Sequence, residues 1–165
     1  MLWAGDDTPS RSPGRLRRDG AFTLPADAVP ILVVDDDAHF CAAVTGAVAS
    51  LPFQTFFVRR AADALRFLAR AAPFEDAPPP ALVLLDFNLP DLNAPALLAA
   101  LRADPWSRPI PVLVLTRLPA PGDEHAALGA GAQAYHAKPS RAAALRELLL
   151  DFWRTHAGAH GDPDR

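Results

Sequence analysis

From Ile31 onward, short unbroken apolar runs alternate with stretches in which apolar residues recur at every third or fourth position. The runs are Ile31-Leu32-Val33-Val34, Thr55-Phe56-Phe57-Val58, Leu82-Val83-Leu84-Leu85, Val112-Leu113-Val114-Leu115 and Ala134-Tyr135-His136-Ala137. They predict five strands. Three of them are continuous and rich in Val, Ile and Leu, as a strand covered on both faces by helices requires. Between them, Phe40, Val44, Val48 and Leu51, then Leu65 and Leu68, then Leu97 or Leu98 and Leu101, carry the spacing of amphipathic helices. Pro78-Pro79-Pro80 is expected to end the second helix, because proline neither donates to a helix ladder nor tolerates a helical residue before it. The longest predicted helix runs from Arg141 to about His156 and closes the domain.

Strands and helices that alternate through short connections specify an α/β fold: a five-stranded parallel sheet, doubly wound, flavodoxin-like, with strand order 2-1-3-4-5. Residues 1–29 mix Gly, Pro, Ser, Asp and Arg without a period and are expected to form a disordered extension. Residues 30–156 form the predicted domain, and 157–165 a flexible tail. The four arginines Arg11, Arg15, Arg17 and Arg18 read as part of a solvated tail.

Composition narrows the function. Half of the residues are hydrophobic but only 8% are aromatic, which suits helices on a sheet better than an all-β sandwich. A net charge of -3 gives no drive toward nucleic acid. Cys41 is the only cysteine, so neither a disulfide framework nor a paired-cysteine metal site is expected, in keeping with a reducing cytoplasm. No apolar run approaches the roughly 20 residues that cross a bilayer, and none of signal-peptide length opens the chain. These features predict a cytoplasmic protein with no membrane partner.

In a doubly wound sheet, ligands sit beyond the carboxyl ends of the strands. Those ends carry Asp35-Asp36-Asp37, Asp86, Thr116 and Lys138-Pro139. Carboxylates gathered there repel one another unless protonated or holding a cation, and oxygen ligands suit Mg²⁺. A carboxylate attacks an anionic phosphoryl group only if the charge is neutralised and the group is held in line. A magnesium ion and Lys138 would supply the neutralisation, and the Thr116 hydroxyl a hydrogen bond to a phosphoryl oxygen.

These stretches, with Leu84-Leu85-Asp86-Phe87-Asn88-Leu89-Pro90-Asp91 and Gly131-Ala132-Gln133-Ala134-Tyr135-His136-Ala137-Lys138-Pro139, resemble the receiver domains of two-component response regulators over residues 30 to 156. The resemblance implies that Asp86 is the phosphoacceptor, and that Asp36 and Asp86 bind Mg²⁺ directly, with Mn²⁺ as an alternative. Asp35 would act largely through water, and the backbone carbonyl of Asn88 would complete the ligands. Thr116 and Lys138 would bind the phosphoryl group, and Tyr135 would act with Thr116 as a switch. The Lys138-Pro139 bond is expected to be cis. Leu101-Arg102-Ala103-Asp104-Pro105, Arg108-Pro109-Ile110-Pro111 and Phe152-Trp153 are similar to the single-domain regulators of phytochrome histidine kinases. The implied partners are a sensor histidine kinase, of the bacteriophytochrome type, and a second copy of the chain.

Two positions depart from the family. Arg117 stands where a small residue normally follows the threonine, as a modifier of access to the phosphoryl group or a contact to it. Asn93-Ala94 replaces the usual Asp-Gly. Asp37 reads equally as a helix N-cap, a solvated residue or a ligand, and Tyr135 as packing or switch. The five histidines lack metal-ligand spacing, and Cys41 reads as a small packing residue. The last helix carries Leu145, Leu148, Leu149, Phe152 and Trp153, more bulk than one sheet face takes, so Leu149, Phe152 and Trp153 are expected to supply a dimer patch.

An aspartyl phosphatase of the haloacid dehalogenase type would need a second Asp two residues after the nucleophile. That position holds Asn88, and the acidic pair precedes the nucleophile. No turnover of an external metabolite is expected, only self-phosphorylation and its reversal. A phosphate sink or relay for a non-phytochrome kinase, or a phosphorylation-independent binding module, remains as an alternative.

Overall fold

The computed structural model describes residues 28–156, so the expectations for the amino-terminal extension before residue 28 and for the 157–165 tail lie outside the described residues. The chain runs β1 (Val29–Val34), α1 (Ala38–Val48), β2 (Phe53–Val58), α2 (Ala61–Leu68), β3 (Leu82–Asp86), α3 (Ala94–Ala103), β4 (Val112–Thr116), α4 (Asp123–Gly129), β5 (Ala134–Ala137) and α5 (Ala142–His156). All pairings are parallel, and the sheet order is β2-β1-β3-β4-β5. Val29 already pairs with Phe53, so the first strand begins at the last residue of the expected extension.

The side-chain alternation of each strand divides the core into two layers. Leu32, Val34, Val83, Leu85, Val112 and Val114 face α2, α3 and α4. Ile31, Val33, Leu82, Leu84, Leu113 and Leu115 face α1 and α5. Apolar residues on both faces are why these strands read as continuous runs.

The second helix ends at Leu68, ten positions before the prolines expected to stop it. Its terminator is local. Arg70 takes a left-handed conformation at φ 50, Ala71 N–H donates to the Arg66 carbonyl at 2.9 Å and Arg70 N–H to Phe67 at 3.1 Å, the paired bonds of a Schellman ending.

The expected dimer patch is corrected by the packing of α5. Leu149 and Phe152 are buried in the layer shared with α1 and the sheet, and the half-buried Trp153 sets its ring edge-on to Phe53 at 5.8 Å. Leu149 and Phe152 fill the chain's own core, with Trp153 packed at its edge, because α1 covers part of the stripe that the sheet leaves open.

At the amino-terminal edge of β4 and β5, Arg102 fans out from the end of α3. Its guanidinium donates to the carbonyls of Gly131 (2.8 Å), Arg108 (2.8 Å) and Ile110 (3.0 Å) and to Gln133 Oε1 (3.2 Å). Gln133 Oε1 also accepts from Val112 N–H at 2.6 Å. Gly131 has φ 108, and a Cβ there would meet the Arg102 side chain at 2.9 Å, so this approach needs glycine.

Candidate functional site

The opposite, carboxyl edge of the sheet gathers the polar residues that the apolar strands deliver to it. Asp35 follows β1 and Asp86 ends β3. Thr116 ends β4, and Lys138 follows β5. Their parallel register brings four sequence-distant positions to one place. Asp35, Asp86 and Thr116 are 1%, 8% and 1% exposed. Asp36 stands on the exposed rim. Ligand atoms of Asp35, Asp36 and Asp86 lie within 4.8 Å of one another, a set of oxygen donors suited to a divalent cation.

Lys138 enters this cluster as a buried cation. Its Nζ lies 2.7 Å from Asp35 Oδ2 and 2.9 Å from Asp86 Oδ1, and 4.5 Å from the centre of the Phe40 ring. Burial pushes the ammonium toward neutrality, but the bonds to Asp35 and Asp86 outweigh it and hold its pKa above the ordinary value. Burial also raises the Asp35 carboxyl above the usual carboxylate range, against the pull of Lys138. A cation bound at Asp35 would oppose that rise.

The expected cis Lys138-Pro139 bond is absent: among the described residues the cis peptide is Ala72-Pro73. Lys138 reaches the site without it, because its N–H donates to the Thr116 carbonyl at 2.7 Å and so extends the β4–β5 ladder by one residue.

Two hydroxyls complete the pocket. Thr116 Oγ1 and Tyr135 Oη are buried without a hydrogen-bond partner. A buried hydroxyl lacking a partner costs stability unless an occupant of the site satisfies it, so the Thr116 orphan fits a group carrying acceptor oxygens. The Tyr135 ring meets Phe87 edge-on at 5.9 Å. Burial, then Asp123 through its charge and its nearness to the phenol, then the charge of Glu124, raise its phenol pKa against a weaker pull from the nearby Thr116 hydroxyl, which forms no hydrogen bond with it.

The loop after β3 is fixed at both ends. Asn93 caps α3 by accepting from Ala96 N–H at 3.1 Å, with Ala94 fully buried behind it, so the Asn93-Ala94 departure yields an ordinary helix start. Asp91 was given no role by the sequence, yet its two oxygens accept from Ala61 N–H and Ala62 N–H of α2, each at 3.0 Å. The N-cap position of α2 is Arg60, which makes no side-chain cap. Asp91 therefore supplies the cap from another element, and the loop that carries the exposed Asn88 is tied to α2.

At the mouth, Asp37 caps α1 through Oδ1, which accepts from His39 N–H at 3.0 Å. Its Oδ2 lies 3.4 Å from Arg117, whose side chain is 70% exposed. Cys41 is buried and its thiol pushed up to about 12, first by burial and then by Asp35, which leaves it an inert packing residue.

A doubly wound sheet with carboxylates, an orphan hydroxyl and a buried lysine at its carboxyl edge defines an α/β domain whose acidic site suits a divalent cation. The chain belongs to the response regulator receiver domain family, whose model matches residues 31–150. It is 34% identical over 67 residues to response regulator Rcp1 of Synechocystis, covering 41% of this chain and 46% of that protein. Among solved structures it is similar to response regulator RPA3017 in red light signaling of R. palustris, at 27% identity and a TM-score of 0.73, covering 83% of this chain and 99% of that one. It is also similar to the Mn²⁺-bound form of Rcp1, at 26% identity and a TM-score of 0.64, covering 79% and 90%. The chain spans less than half the length of the curated relatives it matches. Among the described residues no helix is long and apolar enough to cross a membrane.

Proposed function

We propose that Asp86 accepts a phosphoryl group from the phosphohistidine of a phytochrome-type sensor kinase, and that the modified domain acts by changing what it binds. The observation that carries this reading is Lys138 Nζ held between Asp35 and Asp86, while the backbone N–H of the same residue is tied to the carbonyl of Thr116, whose hydroxyl is unpartnered. An Asp86 oxygen forms the new P–O bond as the kinase's P–N bond breaks, and the imidazole departs with that electron pair. Lys138 stays against the oxygens of the transferred group, and the Thr116 hydroxyl donates to one of them.

Asp35, Asp36 and Asp86, with the Asn88 carbonyl, would hold Mg²⁺ or Mn²⁺; the Mn²⁺-bound form of Rcp1 supports a divalent ion here. Such an ion supplies charge neutralisation during transfer. Asn88 is neutral, so it offers no general acid two residues beyond Asp86. That favours a lasting acyl phosphate over turnover of external substrates. The light-associated partner is supported by the likeness to RPA3017, a response regulator in red light signaling. The other partner is a second copy of the chain, meeting it through the outer face of α5.

Labelled phosphate from a phytochrome kinase should transfer to the chain only with Mg²⁺ present, and Asp86→Asn should abolish the label. Persistent labelling of that variant would remove Asp86 from the reaction. Faster transfer from unrelated histidine kinases would replace the light-associated partner.

A further inference from the structure

The pocket carries at its mouth an ion pair that transfer to Asp86 does not itself require. Arg117 follows Thr116 directly, and its guanidinium lies 3.4 Å from Asp37, the residue next to the acids Asp35 and Asp36. Its partner Asp37 is held in place independently. Asp37 Oδ1 accepts from His39 N–H at 3.0 Å, and its own N–H donates to Asp35 Oδ1 at 2.9 Å. Only Oδ2 is given to Arg117, at 3.4 Å.

The balance of interactions decides what this pair does. Lys138 is already shared between two carboxylates, so beyond the divalent ion of the proposed site an arriving phosphoryl group with nearly two negative charges finds one buried ammonium. The Arg117 side chain is 70% exposed and covers little of the pocket, which argues against a lid. Water competes for the guanidinium end of the pair, so the contact holds Arg117 only weakly although the Asp37 side chain is 15% exposed. A guanidinium on phosphoryl oxygens makes charge-assisted, bidentate bonds. Exchanging Asp37 for the phosphoryl group is therefore favourable, and the exchange leaves the α1 cap intact.

We propose that Arg117 is an anion-capture residue held in reserve by Asp37: its guanidinium leaves Asp37 Oδ2 and binds the oxygens of the group carried by Asp86. This rests on Asp86 as the acceptor, so the test separates the two.

Beryllofluoride, a stable mimic of the acyl phosphate, is titrated into the full chain at saturating Mg²⁺ and its binding followed by fluorine NMR. Arg117→Ala should weaken binding ~10-fold, the size of one charge-assisted hydrogen bond, and Arg117→Lys should lose less. Asp37→Asn keeps an equally good N-cap and should tighten binding ~3-fold by freeing the guanidinium. That gain should shrink in the Arg117→Ala background. Undiminished binding by Arg117→Ala, weaker binding by Asp37→Asn, or an equal gain in both backgrounds would overturn the capture role while leaving Asp86 as acceptor. A wild-type chain that neither binds beryllofluoride nor takes up label would overturn both.

Discussion

At the scale of single residues, the site is organised by one buried cation between two acids. Removing a partner from a buried ion pair leaves the remaining charge unscreened, at a cost of about 3 kcal/mol. Lys138→Met keeps an unbranched side chain of similar length but removes the charge from Asp35 and Asp86 and from the face of the Phe40 ring. It should lower the unfolding free energy in urea by about that amount in EDTA, and added Mg²⁺ should restore part of it. The deficit should also depend on pH. Burial raises the Asp35 carboxyl in the folded state, so the native chain binds that proton more tightly than the unfolded one and stability falls as pH rises through the raised value. Without Lys138 to oppose it the rise is larger, and the deficit should be greater at pH 8 than at pH 5. An equal deficit at both would mean that Asp35 does not relax by taking up a proton.

At the scale of elements, Asp91 joins α2 to the loop after β3. Its pKa lies below the ordinary 3.8: slight burial would raise it, but the donors Ala62 N–H and Ala61 N–H outweigh that. A carboxylate lowered in the folded state contributes stability above 3.8 and loses it as pH falls through the lower folded value. Asp91→Ala should therefore cost about 1 kcal/mol at neutral pH, as cap removals do, with the gap to wild type closing in acid. A gap that persists in acid would show that the side chain acts otherwise than as an ionised cap. This tie was not legible in the sequence, because nothing local pairs an aspartate with a helix start 30 residues earlier. Asp35, Asp86, Thr116 and Lys138 were legible because parallel strands deliver their carboxyl ends to one edge whatever the loops do. The end of α2 was misjudged for the opposite reason. A left-handed Arg70 leaves no mark in composition, whereas three prolines stand out.

For the whole molecule, the apolar content of α5 was legible but its direction was not, since that depends on how α1 packs beside it. With Leu149 and Phe152 inside, the outer face presents Ala144, Glu147, Leu148, Leu150, Asp151 and Arg154 around a shallow depression. Two apolar side chains beside charges of both signs suit contact with a second copy. Leu148→Arg, at a half-buried position on the edge of the core, should lower the mass measured by light scattering, with retention of the fold checked by circular dichroism; an unchanged mass would move the contact elsewhere. Phe152→Ala, by contrast, should cost about 3–5 kcal/mol through the cavity it leaves. The Arg102 fan at the other end of the sheet bears on motion. By stitching the segments ahead of β4 and β5 to the end of α3, it should give the molecule a slow foot beneath a more mobile crown. In deuterium exchange, Val112 and Gln133 amides should outlast those of the exposed stretch from Arg117 to Gly122, and a rearrangement begun at Thr116 should spread sideways across the crown without reaching the foot.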